Sequence, residues 1–229
     1  MGVVQDYYNT KGSYSLGLHE ENVHQKILKN IGTGQKILDV GCSSGYLGRL
    51  MKEKGNIVYG VEISEGPAKE AKGLLDDVFI GNIEEVELPW PEESFDVIVC
   101  ADVLEHLFDP GLALIKLKKL MNENGKLIIS LPNVAYYGVR KNLLFGRFEY
   151  QETGVLEKGH LRFFTRSSAA GLLKKAGFEV ISIEPSIYLP RFYKAITSLP
   201  VIRYLFNKYF SGIFASQYVF LSVHKENGN

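Results

Sequence analysis

A glycine-containing loop and an acid further along the chain are the residues that most suggest a ligand-binding site. Gly41 and Gly45 lie in the run Ile-Leu-Asp-Val-Gly-Cys-Ser-Ser-Gly-Tyr (37–46), and Glu62 ends the next apolar segment, 21 residues after Gly41. Glycine adopts positive φ and lets a ligand approach the backbone. A carboxylate at this spacing could accept hydrogen bonds from both ribose hydroxyls of a nucleoside. Taken singly, the loop is a common strand-to-helix turn and the acid a solvated strand end; together they favour a nucleoside site.

The spacing of the loop excludes two familiar phosphate-binding motifs. A dinucleotide fingerprint starting at Gly41 would need glycines at 43 and 46, where the chain has Ser43 and Tyr46. No Gly-Lys-Ser/Thr follows the loop, so it is not a phosphate loop either.

Two histidines are candidates for acid–base work. His106 follows a strongly apolar segment in Leu-Glu-His-Leu (104–107), and His160 lies in Gly-His-Leu-Arg-Phe-Phe-Thr (159–165). Imidazole accepts a proton near neutral pH. The structural alternatives are that His106 pins the helix after it and that His160 only caps a turn.

The remaining histidines and the cysteines predict no metal site. His19, His24 and His224 share no ligand-like spacing, and no acidic cluster stands out. Cys42 and Cys100 are too few for a disulfide scaffold or a four-thiolate zinc site, and we interpret them as packing residues.

Composition favours a single globular domain. The chain has 229 residues, 45% apolar and 23% charged, with 26 basic and 26 acidic residues. A net charge of zero gives no whole-protein reason to bind nucleic acid. No apolar run reaches membrane-spanning length, and the N-terminus has no secretory pattern, so we expect a cytoplasmic protein.

Strand-like and helix-like segments alternate along the chain, which predicts an α/β fold with a doubly wound, mainly parallel sheet and helices on both faces. The expected strands begin near residues 36, 56, 78, 95, 126, 178 and 217, with helices between most of them. Two segments, 133–164 and 186–214, do not fit the alternation. Both are aromatic-rich and basic, with charge sums of +2 and +4. We interpret them as a cap insertion and a second insertion over the carboxyl edge of the sheet, where α/β proteins bind ligands.

The ordered motifs resemble those of class I S-adenosylmethionine-dependent methyltransferases, in a bacterial small-molecule branch. The resemblance covers about residues 36–183 and rests on segments 37–45, 61–64, 81–84, 95–107 and 125–130. It implies a Rossmann-like, seven-stranded sheet whose last strand is antiparallel. The chain would be one methyltransferase domain, 1–229, with an N-terminal lid at 1–33.

The resemblance also implies which residues bind S-adenosylmethionine. They are Asp39, Gly41, Cys42, Ser43 and Gly45 around the methionine portion, Glu62 and Ile63 at the ribose and adenine, Asn82 and Ile83 at the adenine edge, Ala101 and Asp102 near the sulfonium, and Tyr14 in the lid. Two positions depart from the family pattern. Ser43 replaces the usual middle glycine, and Asn82 replaces a common aspartate, whose charge the amide lacks.

The leading hypothesis is transfer of a methyl group to an oxygen atom of a small, anionic acceptor, with no metal involved. The acceptor class we expect is a sugar or a sugar-linked metabolite. Nucleic-acid acceptors are disfavoured because the fourth motif reads Ala-Asp-Val-Leu (101–104) rather than the Pro-Pro-aromatic pattern of amino-adenine methylation. The alternative is a non-catalytic, cofactor-binding regulatory or accessory protein of the same fold. Segment 188–214 could also contact an anionic membrane surface, or serve as a lid or a homodimer face.

Overall fold

The computed structural model describes residues 18–187, 205 and 210–225. Tyr14 and most of segment 188–214 therefore lie outside the described residues. In the part that is described, no helix is both long and apolar enough to cross a membrane.

Within the described residues, six helices and seven strands have both ends defined, and they follow one another in the predicted alternation. The helices are α1 (Leu18–Lys29), α2 (Tyr46–Glu53), α3 (Glu65–Lys72), α4 (Pro110–Leu120), α5 (Tyr137–Leu144) and α6 (Arg166–Lys175), with a short 3-10 turn at Leu104–His106. The strands are β1 (Lys36–Val40), β2 (Ile57–Glu62), β3 (Asp77–Ile80), β4 (Phe95–Ala101), β5 (Met121–Pro132), β6 (Phe178–Ile187) and β7 (Ala215–His224).

Local sequence explains where the helices begin. Asp109 caps α4 by accepting a hydrogen bond from the Leu112 amide, and Pro110 occupies the first turn, where no amide hydrogen is needed. Thr165 caps α6 in a capping box with Ser168. Gly45 precedes α2 in the left-handed conformation, with φ of 85°.

The sheet has the order β3-β2-β1-β4-β5-β7-β6. Strands β1 to β5 pair in parallel, whereas β7 runs antiparallel between β5 and β6. The predicted Rossmann-like α/β class, with seven strands and an antiparallel last strand, is confirmed.

Apolar clusters on both faces of the sheet hold the helices. One cluster joins Leu114 and Leu117 of α4 to Leu173 of α6, and the other joins Ile27 of α1 to Met51 of α2. All five side chains are at most 1% exposed. Because both faces are covered, the central strands are nearly continuous apolar runs.

Of the two segments outside the alternation, the second begins slightly later than expected. Strand β6 continues to Ile187, so the second insertion lies beyond 187 rather than beginning at 186. The cap insertion contains helix α5, which the sequence pattern did not predict. Its two ends meet: Asn133 and Phe164 form a parallel bridge, and the Val134 amide donates to the Phe164 carbonyl over 2.8 Å. The cap therefore leaves and rejoins the sheet at one point.

Candidate functional site

The strand register brings the sequence-predicted loop and acid to the same edge of the sheet. Val40 of β1 pairs with Val61 of β2 and with Cys100 of β4, so the residues after these three strands lie side by side. Strand β1 lies between β2 and β4. Strands β2 and β3 are added on one side of β1 and β4 and β5 on the other, so the order of strand addition reverses at this point. This switch point is where open α/β sheets bind ligands.

Close packing explains the glycine at the start of the loop. The Gly41 backbone has φ of 69°, and a Cβ added there would lie 2.5 Å from Cγ2 of Val103. Gly45 has little room either, since a Cβ would lie 3.0 Å from the Ala71 Cα. Both positions therefore require glycine for conformation and for space. Ser43, between them, has φ of 48°, so the serine keeps the left-handed conformation that the usual glycine would adopt.

Glu62 is a buried carboxylate held by backbone amides. One of its oxygens accepts from the Ser43 amide over 2.9 Å and the other from the Ser64 amide over 2.8 Å. Burial raises the pKa of Glu62, and these amide donors partly offset that rise. The side chain therefore ties the glycine loop to the end of β2, in addition to its predicted role at a ribose.

Asp39 lies at the end of β1, beneath the loop, and is 2% exposed. Burial, with a smaller contribution from the negative charge of Glu62, raises the pKa of Asp39 to about 7. Its Oδ2 atom is buried and has no hydrogen-bond partner. A buried oxygen left in this state costs free energy unless a donor or a positive charge reaches it.

Asp102 follows β4 in a strained conformation, with φ of 56°. Its amide donates to the Ser130 hydroxyl over 3.0 Å, and that hydroxyl donates to Asp102 Oδ1 over 2.7 Å. The Gln217 amide of β7 donates to the same oxygen. A positive φ at a non-glycine residue persists only where neighbouring contacts hold it, and here side chains of two strands, β5 and β7, do so.

The other predicted cofactor residues have ordinary packing roles in the structure. Cys42 is buried, and its sulfur would lie only 2.6 Å from a Cβ added at Gly60. Burial raises the pKa of its thiol, so it stays protonated. Ile83 is 5% exposed in the core. The Asn82 amide is used within its own turn, with Oδ1 accepting from the Glu84 amide. Ile63 and Ala101 are half-buried at the ends of β2 and β4. Whether these residues contact the cofactor stays a prediction.

His106 and His160 are 54 residues apart in sequence, yet their ring centroids are 4.8 Å apart. The Nδ1 atom of His106 lies 3.0 Å from the Gly159 carbonyl oxygen, and Nδ1 of His160 lies 3.0 Å from the Val155 carbonyl oxygen. Because a carbonyl only accepts, each Nδ1 carries a hydrogen, and each neutral ring has its lone pair on Nε2. The cap insertion thus brings its histidine to the β4 end of the sheet.

Glu105, the residue before His106, lies beside these rings. It is 1% exposed, and its Oε1 lies 3.9 Å from Nε2 of His160. Burial and then the nearby Asp102 charge raise its pKa well above the ordinary value. Its backbone carbonyl accepts from the amides of Leu161 and Arg162, at 2.8 and 2.9 Å, which fixes the cap against the 3-10 turn.

Comparison with known proteins identifies the family. A model of the methyltransferase domain matches residues 18–183. The chain belongs to this methyltransferase domain family. This confirms the resemblance on which the motif assignments rest and the expectation of an S-adenosylmethionine-dependent enzyme domain.

Two curated relatives and one solved structure illustrate the likeness. A ubiquinone biosynthesis O-methyltransferase of Idiomarina loihiensis is 32% identical over 167 residues, covering 69% of this chain and 67% of the relative. Its namesake from Pasteurella multocida is 36% identical over 115 residues, or 44% of this chain and 48% of the relative. The matched part spans about half the length of several such relatives. A methyltransferase structure from Archaeoglobus fulgidus aligns with TM-score 0.68 at 20% identity, over 90% of this chain and 94% of that one.

The residues at the switch point fit the cofactor of this family. S-adenosylmethionine carries a positive sulfonium and an ammonium group, and Asp39 presents a buried, unpartnered oxygen beneath the loop. Glu62, at the end of the neighbouring strand β2, offers a carboxylate and is itself only 8% exposed. The left-handed loop between them leaves its backbone open to a close approach.

Proposed function

We propose that this chain transfers the methyl group of S-adenosylmethionine to an oxygen of a small, anionic acceptor, in the cytoplasm. A sugar or sugar-linked metabolite is the acceptor class we propose. The observation that carries the oxygen assignment is the meeting of His106 and His160, from two distant segments, at the β4 end of the sheet. The relatives named above as O-methyltransferases give independent support.

The chain's own residues would first hold the cofactor. Glu62 would bind the ribose hydroxyls, Asp39 would face the positive charge, and the Gly41–Gly45 loop would enclose the methionine portion. When bound, the cofactor supplies an electrophilic methyl group on sulfur. The protein must hold the acceptor oxygen in line with that methyl, at about 3 Å, and exclude water.

A hydroxyl acceptor must also lose its proton, and the histidine pair is placed for that step. The lone pair on Nε2 of His106 or His160 could accept the proton as the oxygen–carbon bond forms. The hydrogen bonds from both Nδ1 atoms to backbone carbonyls keep the rings in the required orientation. A hydroxyl acceptor requires such a base, whereas a more basic acceptor atom, with a lone pair already available, does not.

Exposed cations on the cap support an anionic acceptor. Arg140, Lys141 and Arg147 lie on or just after helix α5, and Arg162 follows His160; all four are exposed. Backbone contacts position two of them: Arg140 donates to the Ala135 carbonyl, and Arg162 to the Phe108 carbonyl. Guanidinium groups held in this way suit phosphate or carboxylate recognition.

The test is methyl-acceptor screening with labelled cofactor and a panel of sugar nucleotides. We expect His160→Ala to lower turnover at least tenfold while calorimetric affinity for S-adenosylhomocysteine stays within twofold, since the ring acts on the acceptor. His224→Ala is the matched control, because His224 ends β7 at the opposite edge of the sheet. Cofactor binding with no methyl transfer to any acceptor would favour the non-catalytic alternative, and full activity of His160→Ala would refute the role of that ring.

A further inference from the structure

Three side chains with metal-binding atoms converge beside the proposed acceptor position. Glu105 and His106 come from the 3-10 turn after β4, and His160 comes from the end of the cap insertion. One donor atom from each side chain lies within 4.8 Å of the other two. Glu105 and His160 are buried and His106 is half-buried, so the cluster is largely withdrawn from solvent rather than on open surface.

The hydrogen bonds of the two rings match those of metal-binding histidines. A histidine that binds a metal through one nitrogen nearly always donates from the other to a carbonyl or carboxylate, which fixes the tautomer and the ring plane. His106 and His160 both donate from Nδ1 to a carbonyl, at Gly159 and Val155 respectively. In both rings the electron pair for a metal is therefore on Nε2.

Glu105 supplies the second, independent observation. It is 1% exposed, and neither of its carboxylate oxygens has a hydrogen-bond partner. The charged groups with the largest effect on it, Asp102 and Glu157, are both acids. Among the described residues, His160 is the only basic side chain in ion-pair contact with Glu105. A buried carboxylate in this environment costs several kcal/mol unless it is neutralised. A divalent cation bound between Glu105 and the two rings would remove that cost.

The donor set indicates which ions suit the cluster. Two imidazoles and one carboxylate are typical of Zn²⁺ and neighbouring first-row divalent ions, whereas Ca²⁺ and Mg²⁺ prefer all-oxygen ligands. Three protein ligands leave at least one position open, which is the arrangement of catalytic rather than structural zinc. The amide hydrogen bonds from Leu161 and Arg162 to the Glu105 carbonyl hold the two ligand segments together before any ion binds.

We propose that Glu105, His106 and His160 form a binding site for one divalent transition-metal ion of the zinc class. This proposal departs from the expectation from sequence that the chain uses no metal. Its role rests on the proposed function, and there the ion would take the acceptor oxygen in its open position. With both Nε2 lone pairs bound to it, the ion would take over the base role assigned above to the rings and would favour loss of the hydroxyl proton to solvent. The oxygen lone pair would then form the bond to the methyl carbon, while the carbon–sulfur electron pair would return to sulfur.

The test is direct metal titration of the chelator-treated protein. We expect Zn²⁺ to bind in a 1:1 ratio and to raise the melting temperature, and Co²⁺ to give a visible absorption band from a site with nitrogen ligands. His106→Ala, His160→Ala and Glu105→Gln should each weaken Zn²⁺ binding at least tenfold. His224→Ala, which removes a histidine at the opposite edge of the sheet, should bind Zn²⁺ like the wild type. It serves as the control for adventitious Zn²⁺ binding by a histidine outside the cluster. Calorimetry with S-adenosylhomocysteine verifies that each variant is folded.

The proposal is overturned if the wild type shows no saturable 1:1 binding, or if folded His106→Ala and His160→Ala proteins bind Zn²⁺ as tightly as the wild type. These outcomes are separate from the failure of the proposed function. A protein that binds Zn²⁺ through these residues but transfers no methyl group would retain the metal site and lose the O-methyltransferase assignment.

Discussion

The raised pKa of Asp39 predicts that cofactor binding depends on pH in a defined direction. In the cofactor-free protein, burial and then the charge of Glu62 place this pKa at about 7. A positively charged ligand stabilises the ionised carboxylate, so its binding lowers the pKa and releases a proton. Affinity for S-adenosylmethionine should therefore rise as the pH rises through about 7, and level off above it.

The expected magnitude follows from the pKa. At about pH 6, one unit below it, ionising Asp39 costs about 1.4 kcal/mol, so the affinity should be about tenfold weaker than at about pH 8, where the carboxylate is already ionised. The effect should disappear in Asp39→Asn, whose affinity should be lower than that of the wild type and flat over the same range.

Isothermal titration calorimetry measures both quantities. Titrations in two buffers of different ionisation enthalpy give the number of protons released, which should approach one near pH 6 and zero near pH 8.

The cofactor-free protein provides a second readout. Because the folded pKa lies above the unfolded one, the stability contributed by protonated Asp39 is complete below about pH 4 and is lost as pH rises through about 7. Equal affinity at the two pH values, with no proton release, would refute the placement of Asp39 opposite the positive charge.

Two further predictions concern the loop and the acid beside it. Ser43→Gly should raise the free energy of unfolding by about 1 kcal/mol, since the backbone at φ 48° is strained for serine; chemical denaturation measures this, and a decrease would mean that the serine side chain stabilises the loop. Glu62→Gln should weaken cofactor binding by about 1–3 kcal/mol, as measured by calorimetry, because charge-assisted hydrogen bonds to the ribose would be lost. In addition, one of the two oxygens that accept from the Ser43 and Ser64 amides would be replaced by an NH2 group, which cannot accept. Unchanged affinity would contradict the ribose assignment.

Most of the fold could be predicted from the sequence because its signals are local. The apolar runs of β1 and β4, the glycine loop and the Thr165 cap each depend on a few neighbouring residues, and each lies within one or two residues of the expected place. Element ends were less accurate, as at β6, because an antiparallel partner extends the strand beyond the apolar pattern. Helix α5 was missed because its exposed residues show no apolar stripe.

The candidate site was only partly predictable for a different reason. Gly41 and Glu62 are joined by one strand–helix–strand unit, so their spacing in sequence reports their proximity in space. Glu105 and His160 have no such link. Their approach depends on how the cap insertion folds back. The signals that could have suggested it are an acid and a histidine just after the predicted fourth strand and a second histidine near the end of the cap insertion. The bracing of Asp102 by Gln217 likewise depends on the position of β7.

The place of β7 in the sheet has a consequence for how the protein is made. Strands β5 and β6 have no shared partner until β7, which follows both of them in the chain, pairs with each. Before then each exposes an unpaired edge, and Asp102 lacks the Gln217 amide that helps to hold its strained backbone. The site is therefore completed only after β7 has been synthesised, so a nascent chain displays its glycine loop well before it can hold the floor of the site in place.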